Sequence, residues 1–200
     1  MFLHNIQIFI TIIALSSFLF SCASDTQSEL TENKTEEKII FADSTLTSLP
    51  DVIKDLPVGI EVWHEPDTFR AVVWDKDTTR FIWKHQTFLF SFVGDLKIIE
   101  FGTCNFKDGE WVLGNITKKE YGEKELCEWY VKYENGMVKW EQPENGVIKK
   151  DVVYFDPSNY SIKNKELVQR NGLWYYIGID SAGKKYMGYG SYIALPELVK

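Results

Sequence analysis

The strongest signal for the fold class lies in Asn171-Gly172-Leu173-Trp174-Tyr175-Tyr176-Ile177-Gly178-Ile179. Asn-Gly is typical of type I′ turns, because both residues tolerate a positive φ. In the residues that follow, alternate side chains point to opposite faces of an extended strand, and both faces are apolar or aromatic. We therefore expect a tight turn and then a strand that is covered on both sides, or that has one face against a ligand cavity.

Similar segments recur along the chain, and short turn signals separate them. Between Val58 and Ile193 the pattern predicts eleven strands, among them 79–84, 87–93 and a half-buried strand at 126–133. The turns include Lys107-Asp108-Gly109, Asn135-Gly136, Asn145-Gly146 and Ala182-Gly183. Because short connections join antiparallel neighbours, we predict an all-β domain, an antiparallel meander of hairpins forming a curved sheet, barrel or sandwich. One short N-terminal helix is expected at 48–57, with proline in its first turn and at its end.

The N-terminus is typical of a targeting segment. From Ile6 to Phe20 the chain is almost wholly apolar, but the run is too short to cross a bilayer as a helix. Leu19-Phe20-Ser21-Cys22 then resembles the lipobox of bacterial lipoproteins, although no Lys or Arg precedes the apolar run. The resemblance implies a signal peptide over residues 1–21 and a lipid-modified Cys22. Ala23, where an Asp would imply retention at the inner membrane, implies export to the outer membrane.

Charge divides the rest of the chain into a tether and a domain. Residues 23–38 contain five acidic residues, two lysines and one large apolar residue, so we expect a flexible tether over 22–38. Residues 39–200 are then expected to form a single β domain, beginning with a strand at 39–42. The formal net charge of −7 argues against nucleic acid as a partner, since phosphate binding needs clustered Lys and Arg. The expected partners are the membrane, through the lipid anchor, and an envelope protein or small ligand.

Few residues in the chain suggest a reactive site. His64, Glu65 and Asp67 lie within four residues, and His85 is the other histidine of the expected mature chain. These four are weak candidates for a polar site, and we expect His64 to lie in a solvated loop. No motif indicates a catalytic residue, a metal site or a cofactor.

Two cysteines remain after Cys22, and they leave two alternatives open. Export to an oxidising compartment would allow a disulfide between Cys104 and Cys127. In a strict meander, however, the two residues fall at opposite ends of their strands, which favours two free thiols. The sequence does not choose between the bridge and the free thiols.

We expect the function to be binding at the cell envelope. The preferred hypothesis is a membrane-anchored exported lipoprotein whose domain binds a ligand or partner without catalysis. One alternative is an envelope hydrolase that uses carboxylates and His64 or His85, and another is a structural or assembly component of an envelope complex. The side of the outer membrane that the domain faces is left open.

We expect most of the seven Trp side chains to pack in the core.

Overall fold

The structure is a computed structural model that describes residues 48–164 and 166–199. The predicted signal peptide, Cys22, the tether and the predicted strand at 39–42 all lie outside the described residues. None of the helices in this part of the chain is long and apolar enough to cross a membrane.

The described residues are mainly β-strands, which confirms the all-β prediction. The strands are β1 (Ile60–Glu65), β2 (Thr68–Trp74), β3 (Asp77–Ser91), β4 (Leu96–Lys107), β5 (Glu110–Leu113), β6 (Val131–Glu134), β7 (Met137–Lys139), β8 (Val147–Ile148), β9 (Val153–Asn164), β10 (Arg170–Ile179) and β11 (Lys185–Leu198). Within residues 48–164 and 166–199 there is one α-helix, α1 (Glu123–Trp129), and a short 3-10 helix at Glu144–Gly146. All eleven strands belong to one sheet.

The sheet is open and mixed, so the predicted purely antiparallel meander is wrong. Its strand order is β5-β4-β10-β11-β2-β3-β9-β6-β7, with β1 paired to β3 and β8 to β4, and it does not close into a barrel. The strand ladders are antiparallel except for β2 with β11, where Thr68 is opposite Ile193 and Phe69 is opposite Ala194. This pair joins the beginning of the domain to its end. No turn signal in the sequence can indicate a pairing between segments so far apart.

The sheet is strongly curved around the main core. In the strand order β9 and β10 are separated by β11, β2 and β3, yet Arg170 Nη2 on β10 donates to Ser161 Oγ on β9 at 3.1 Å. The core on the concave side includes the fully buried side chains of Phe69, Trp83 and Phe101. Burial of each such side chain stabilises the fold by about 1.5–3 kcal/mol relative to exposure.

Strand β3 is one long strand where the sequence predicts two. His85 and Gln86 interrupt the apolar pattern between the predicted strands at 79–84 and 87–93, but the backbone continues through them. The first half of β3 pairs with β2 and the second half pairs with β1, while β9 runs along the other side. Pairing on both sides holds the polar dipeptide in extended conformation.

Two predicted elements have a different conformation in the structure. The predicted helix at 48–57 is a set of turns, in which the N–H groups of Ile53 and Lys54 both donate to Pro50 O. The predicted strand at 126–133 is replaced by the second half of α1 and by β6. Leu126 and Tyr130 are both fully buried, and their spacing of four residues fits one face of a helix.

The two Asn-Gly dipeptides that flank apolar runs have different outcomes. Asn135 and Gly136 have φ values of 51° and 75° and form the predicted turn between β6 and β7. Asn171 and Gly172 instead lie inside β10, opposite Ile193 and Tyr192, so the predicted turn there is wrong. A Cβ at position 172 would lie 2.6 Å from the Tyr192 ring. Glycine is needed there for close approach and not for a turn.

Candidate functional site

A β-bulge in β9 places two polar side chains on the concave side of the sheet. Asp156 is opposite Thr87 and Asn159 is opposite His85, so Pro157 and Ser158 together face the single residue Gln86. Residues three apart normally point to opposite faces of a strand, but one inserted residue restores them to the same face. Pro157 is tolerated because a bulge leaves a backbone position unpaired.

The carboxylate of Asp156 is buried without a countercharge. The residue is 6% exposed, and its Oδ1 accepts a hydrogen bond from the Ser158 N–H at 2.9 Å. Among the described residues its Oδ2 has no hydrogen-bond partner, and no Lys or Arg forms an ion pair with it. Burial raises the pKa of Asp156 to about 6, and the Ser158 N–H opposes that shift in part. A buried acid without a cation is costly to the fold, which is typical of a functional position.

Asn159 belongs to a buried chain of hydrogen bonds that fixes its orientation. His64 Nε2 lies 2.9 Å from Gly190 O, which can only accept, so this nitrogen carries the proton. His64 Nδ1 must then accept from the Thr87 hydroxyl at 3.1 Å, and Thr87 Oγ1 in turn accepts from Asn159 Nδ2 at 2.9 Å. The amide of Asn159 therefore presents Oδ1 as its remaining acceptor, and that atom has no partner among the described residues.

Aromatic rings surround these two polar groups. The ring of Tyr121 packs edge-on against Trp129 with centroids 4.7 Å apart, and it lies at 20° to the ring of Trp174. Together with the bulge they enclose a cleft of about 290 Å³, which we call the Asp156 cleft. Its lining consists of Ile116, Thr117, Tyr121, Trp129, Asp156, Ser158, Asn159, Tyr160 and Trp174.

Each aromatic wall comes from a different element. Trp174 lies on β10, and Trp129 is the last residue of α1. Tyr121 is fixed by two backbone hydrogen bonds with Phe101 on β4, of 2.8 Å and 2.9 Å. Three separate backbone elements thus hold the walls in place around the carboxylate.

The sequence candidates His64 and His85 lie in the core, so the solvated-loop prediction is wrong. Both residues are 5% exposed, and their rings pack edge-to-face with centroids 5.4 Å apart. His64 points inward because alternate residues of β1 face the core. Burial lowers the pKa of His64 to about 4, and burial together with the neighbouring His64 lowers that of His85 to about 3. Neither imidazole lines the Asp156 cleft.

The acidic neighbours of His64 are separated from it. Glu65 and Asp67 are exposed on the outer side of the β1–β2 corner, so the structure does not bring the predicted polar cluster together. Glu65 Oε1 accepts a hydrogen bond from Trp63 Nε1 at 3.4 Å. Within the described part of the chain, no group of three His, Cys, Asp or Glu side chains is placed to hold a metal ion.

Cys104 and Cys127 are both free thiols in the structure. Cys104 is buried on β4, and burial raises its pKa to about 11. Cys127 lies in α1, and its Sγ donates to Pro143 O at 3.0 Å. The predicted strand that contained Cys127 is a helix, so the two cysteines lie on different elements from those expected.

A larger cleft of about 700 Å³ lies on the other side of the sheet, and we call it the Glu100 cleft. It is bordered by residues 48–54, by β4 and by β5. Its most buried acidic group, Glu100, already accepts a hydrogen bond from the Tyr175 hydroxyl at 3.0 Å. The Asp156 cleft is therefore the stronger candidate, since two mostly buried residues, Asp156 and Asn159, border it with oxygens that have no partner among the described residues.

Sequence reasoning missed Asp156 and Asn159 because Asp156-Pro157-Ser158-Asn159 has the composition of a surface turn. One signal for a bulge was available, because these four residues contain no glycine and directly follow the apolar run at 152–155.

No protein-family model matches the chain, and no curated protein has significant sequence similarity to it.

Proposed function

We propose that the domain is a binding module that holds a small ligand in the Asp156 cleft. The observation that supports this most directly is the mostly buried Asp156, which lines a cleft walled by aromatic rings and has no countercharge among the described residues. Ligand sites commonly combine an apolar lining with a few converging polar groups. The cleft has this composition, and its volume is at the small end of the range for such sites.

In keeping with the sequence resemblance, we place this module on an exported lipoprotein of the outer membrane, anchored through Cys22. Acyl chains on that residue would be the only membrane anchor in the proposal. Replacement of Cys22 by Ser is expected to abolish incorporation of labelled palmitate and to move the protein to the soluble fraction. A variant that stays with the membranes would contradict the anchor but not the binding function.

The hydrolase alternative receives no support from the histidines. A working imidazole needs an orienting group on one nitrogen and a reacting group on the other. Both nitrogens of His64 are hydrogen-bonded inside the core, and His85 stacks on Phe69 with ring centroids 4.0 Å apart. The Asp156 cleft offers one carboxylate, whereas most glycosidases use two. The assembly-component alternative has no specific observation in its favour.

The binding proposal is tested with three probes of different charge: n-butylammonium, N-acetylglucosamine and acetate. We expect at least one probe to change the intrinsic Trp fluorescence of the purified full chain in a saturable way below roughly 10 mM. The change should be lost in Trp129→Leu, which removes a wall of the cleft. It should be kept in the matched control Trp140→Leu, because Trp140 is 79% exposed and lies outside the cleft. Absence of a saturable change with all three probes would overturn the proposal.

A further inference from the structure

Resting on the proposed binding function, we infer that the group taken up by the Asp156 cleft is a protonated amine. The ammonium would donate hydrogen bonds to Asp156 and Asn159, and the aromatic rings would surround its alkyl stem. Three independent features of the cleft lead to this ligand class: its hydrogen-bonding capacity, its charge and the arrangement of its rings.

The free oxygens of the bulge side chains are acceptors. Asp156 Oδ2 and Asn159 Oδ1 lack partners among the described residues, and the chain through Thr87 and His64 keeps one N–H of Asn159 Nδ2 on Thr87 Oγ1, so the amide oxygen and nitrogen do not exchange places. A ligand that pairs with both atoms must therefore bring two N–H or O–H donors. An ammonium group of the type R–NH₃⁺ has three donors and no acceptor.

The charge of the cleft requires a cation. Asp156 is buried, and no ion pair joins it to Arg170, the basic side chain held on the concave side by β10. The Arg170 guanidinium lies 4.3 Å above the Trp83 ring and its Nη2 donates to Ser161, while its Nε is buried without a partner among the described residues. A buried carboxylate without a partner is destabilising, and a bound ammonium would supply the missing countercharge. A neutral sugar would leave that carboxylate uncompensated.

The rings favour a cation over a flat sugar face. Tyr121 and Trp174 are only 8% and 5% exposed, so neither presents an open platform on which a pyranose ring could stack. The ring of Trp129 stands at 71° to that of Tyr121, which places walls on two sides of the cleft. Ring faces can contact an ammonium, and ring edges can contact its methylene groups.

Affinity should follow the ionisation of Asp156. The titratable groups that interact with this carboxylate are Tyr130, the residue after α1, and Tyr176 on β10, and the nearest imidazole on β3 is that of His85, opposite Asn159. Burial raises the pKa of both tyrosines well above their usual value, and their hydroxyls are hydrogen-bonded to each other. His85 is neutral above about pH 4 because its pKa is about 3. Between pH 5 and 7.5, Asp156 is therefore the group of this set that changes charge.

The experiment compares n-butylammonium with butan-1-ol, a neutral probe of similar length, by titration of the full chain in nonionic detergent. We expect n-butylammonium to bind at least about tenfold more tightly at pH 7.5, since only the cation pairs with the carboxylate. Its affinity should fall by about tenfold at pH 5, where roughly one Asp156 in ten is ionised. Asp156→Asn should remove both differences, whereas Glu128→Gln, which neutralises an exposed carboxylate beside Trp129, should change affinity less than about twofold.

A second pair of probes distinguishes a free amine from a lysine side chain of a polypeptide. Nα-acetyl-lysine methylamide and its norleucine counterpart differ only in the ammonium group. Tighter binding of the lysine probe than of n-butylammonium would identify a polypeptide ligand, and equal binding would identify a free amine. If butan-1-ol or N-acetylglucosamine binds as tightly as the ammonium, and binding is lost in Trp129→Leu, the ligand class is wrong while the binding function stands. If no probe binds, both are wrong.

Discussion

The imidazoles of the core and the bulge of β9 are two regions that bury polar side chains to the same extent. His64 and His85 are each 5% exposed, and Asp156 and Asn159 are each 6% exposed. His64 has both nitrogens hydrogen-bonded, and His85 packs between other rings with neither nitrogen partnered in the described structure. Asp156 and Asn159, by contrast, border a cleft. The comparison teaches that burial alone does not identify a site, and that a free polar atom must also be accessible to a ligand.

The two regions also respond to pH in opposite directions. The pKa values of His64 and His85 lie below the 6.5 expected when unfolded, so the unfolded chain takes up these protons first. Their contribution to stability is present above about pH 6.5 and is lost as the pH falls. The pKa of Asp156 lies above its unfolded value of 3.8, so this residue lowers stability as the pH rises from about 4 through about 6.

The largest effect is expected for Asp156→Asn, which removes the buried charge and keeps an oxygen for the Ser158 N–H. At pH 7.5 the variant should be more stable than the wild type by up to about 3 kcal/mol, the free energy that corresponds to the raised pKa of Asp156. At pH 4 the two proteins should be equally stable, because the native carboxyl is then protonated. Urea denaturation at both pH values measures the difference.

Asp151→Asn is the matched control, since Asp151 is exposed just before β9 and its positive φ of 59° is one that Asn tolerates. Its effect should stay within about 0.5 kcal/mol at either pH. A wild type that is as stable as Asp156→Asn at pH 7.5 would mean that the carboxylate is not desolvated, and the contrast between the two regions would fail.

A smaller effect is expected for replacement of either imidazole by Phe. His64→Phe removes the hydrogen bond to the Gly190 carbonyl and leaves the Thr87 hydroxyl proton without its acceptor, so it should destabilise the fold by about 1–3 kcal/mol at pH 7.5. His85→Phe removes two ring nitrogens that have no hydrogen-bond partner in the described structure and keeps a ring stacked on Phe69. That variant should be unchanged or more stable by up to about 1 kcal/mol.

The two variants act as controls for each other, because each replaces an imidazole by the same ring at the same burial. Equal losses of stability in urea denaturation would contradict the distinction between a hydrogen-bonded and an unpaired imidazole. His64→Phe should also weaken ligand binding, since Thr87 then loses the acceptor for its proton and no longer fixes the orientation of Asn159.

Local patterns in the sequence determined the fold class and several of its connections. Turns such as 107–109 and 135–136 form as predicted, because Asp, Asn and Gly tolerate the positive φ that these turns need and no third strand competes for their backbone. The sequence predicts that the strand containing Trp174 is covered on both sides or has one face against a ligand cavity. In the structure residues 173–177 are buried on both faces, and Trp174 also borders the Asp156 cleft.

Tertiary structure alone decided the mixed pairing of β2 with β11, the helix at 123–129 and the site itself. The mixed apolar and charged residues of 126–133 fit either an alternating strand or one face of a helix, and in the structure Leu126 and Tyr130 are the fully buried pair. Likewise, Asp156-Pro157-Ser158-Asn159 has the composition of a turn. It becomes a bulge because β9 pairs with β3 both before and after the inserted residue. Pairing between distant strands has no local signature, and the Asp156 cleft depends on that pairing.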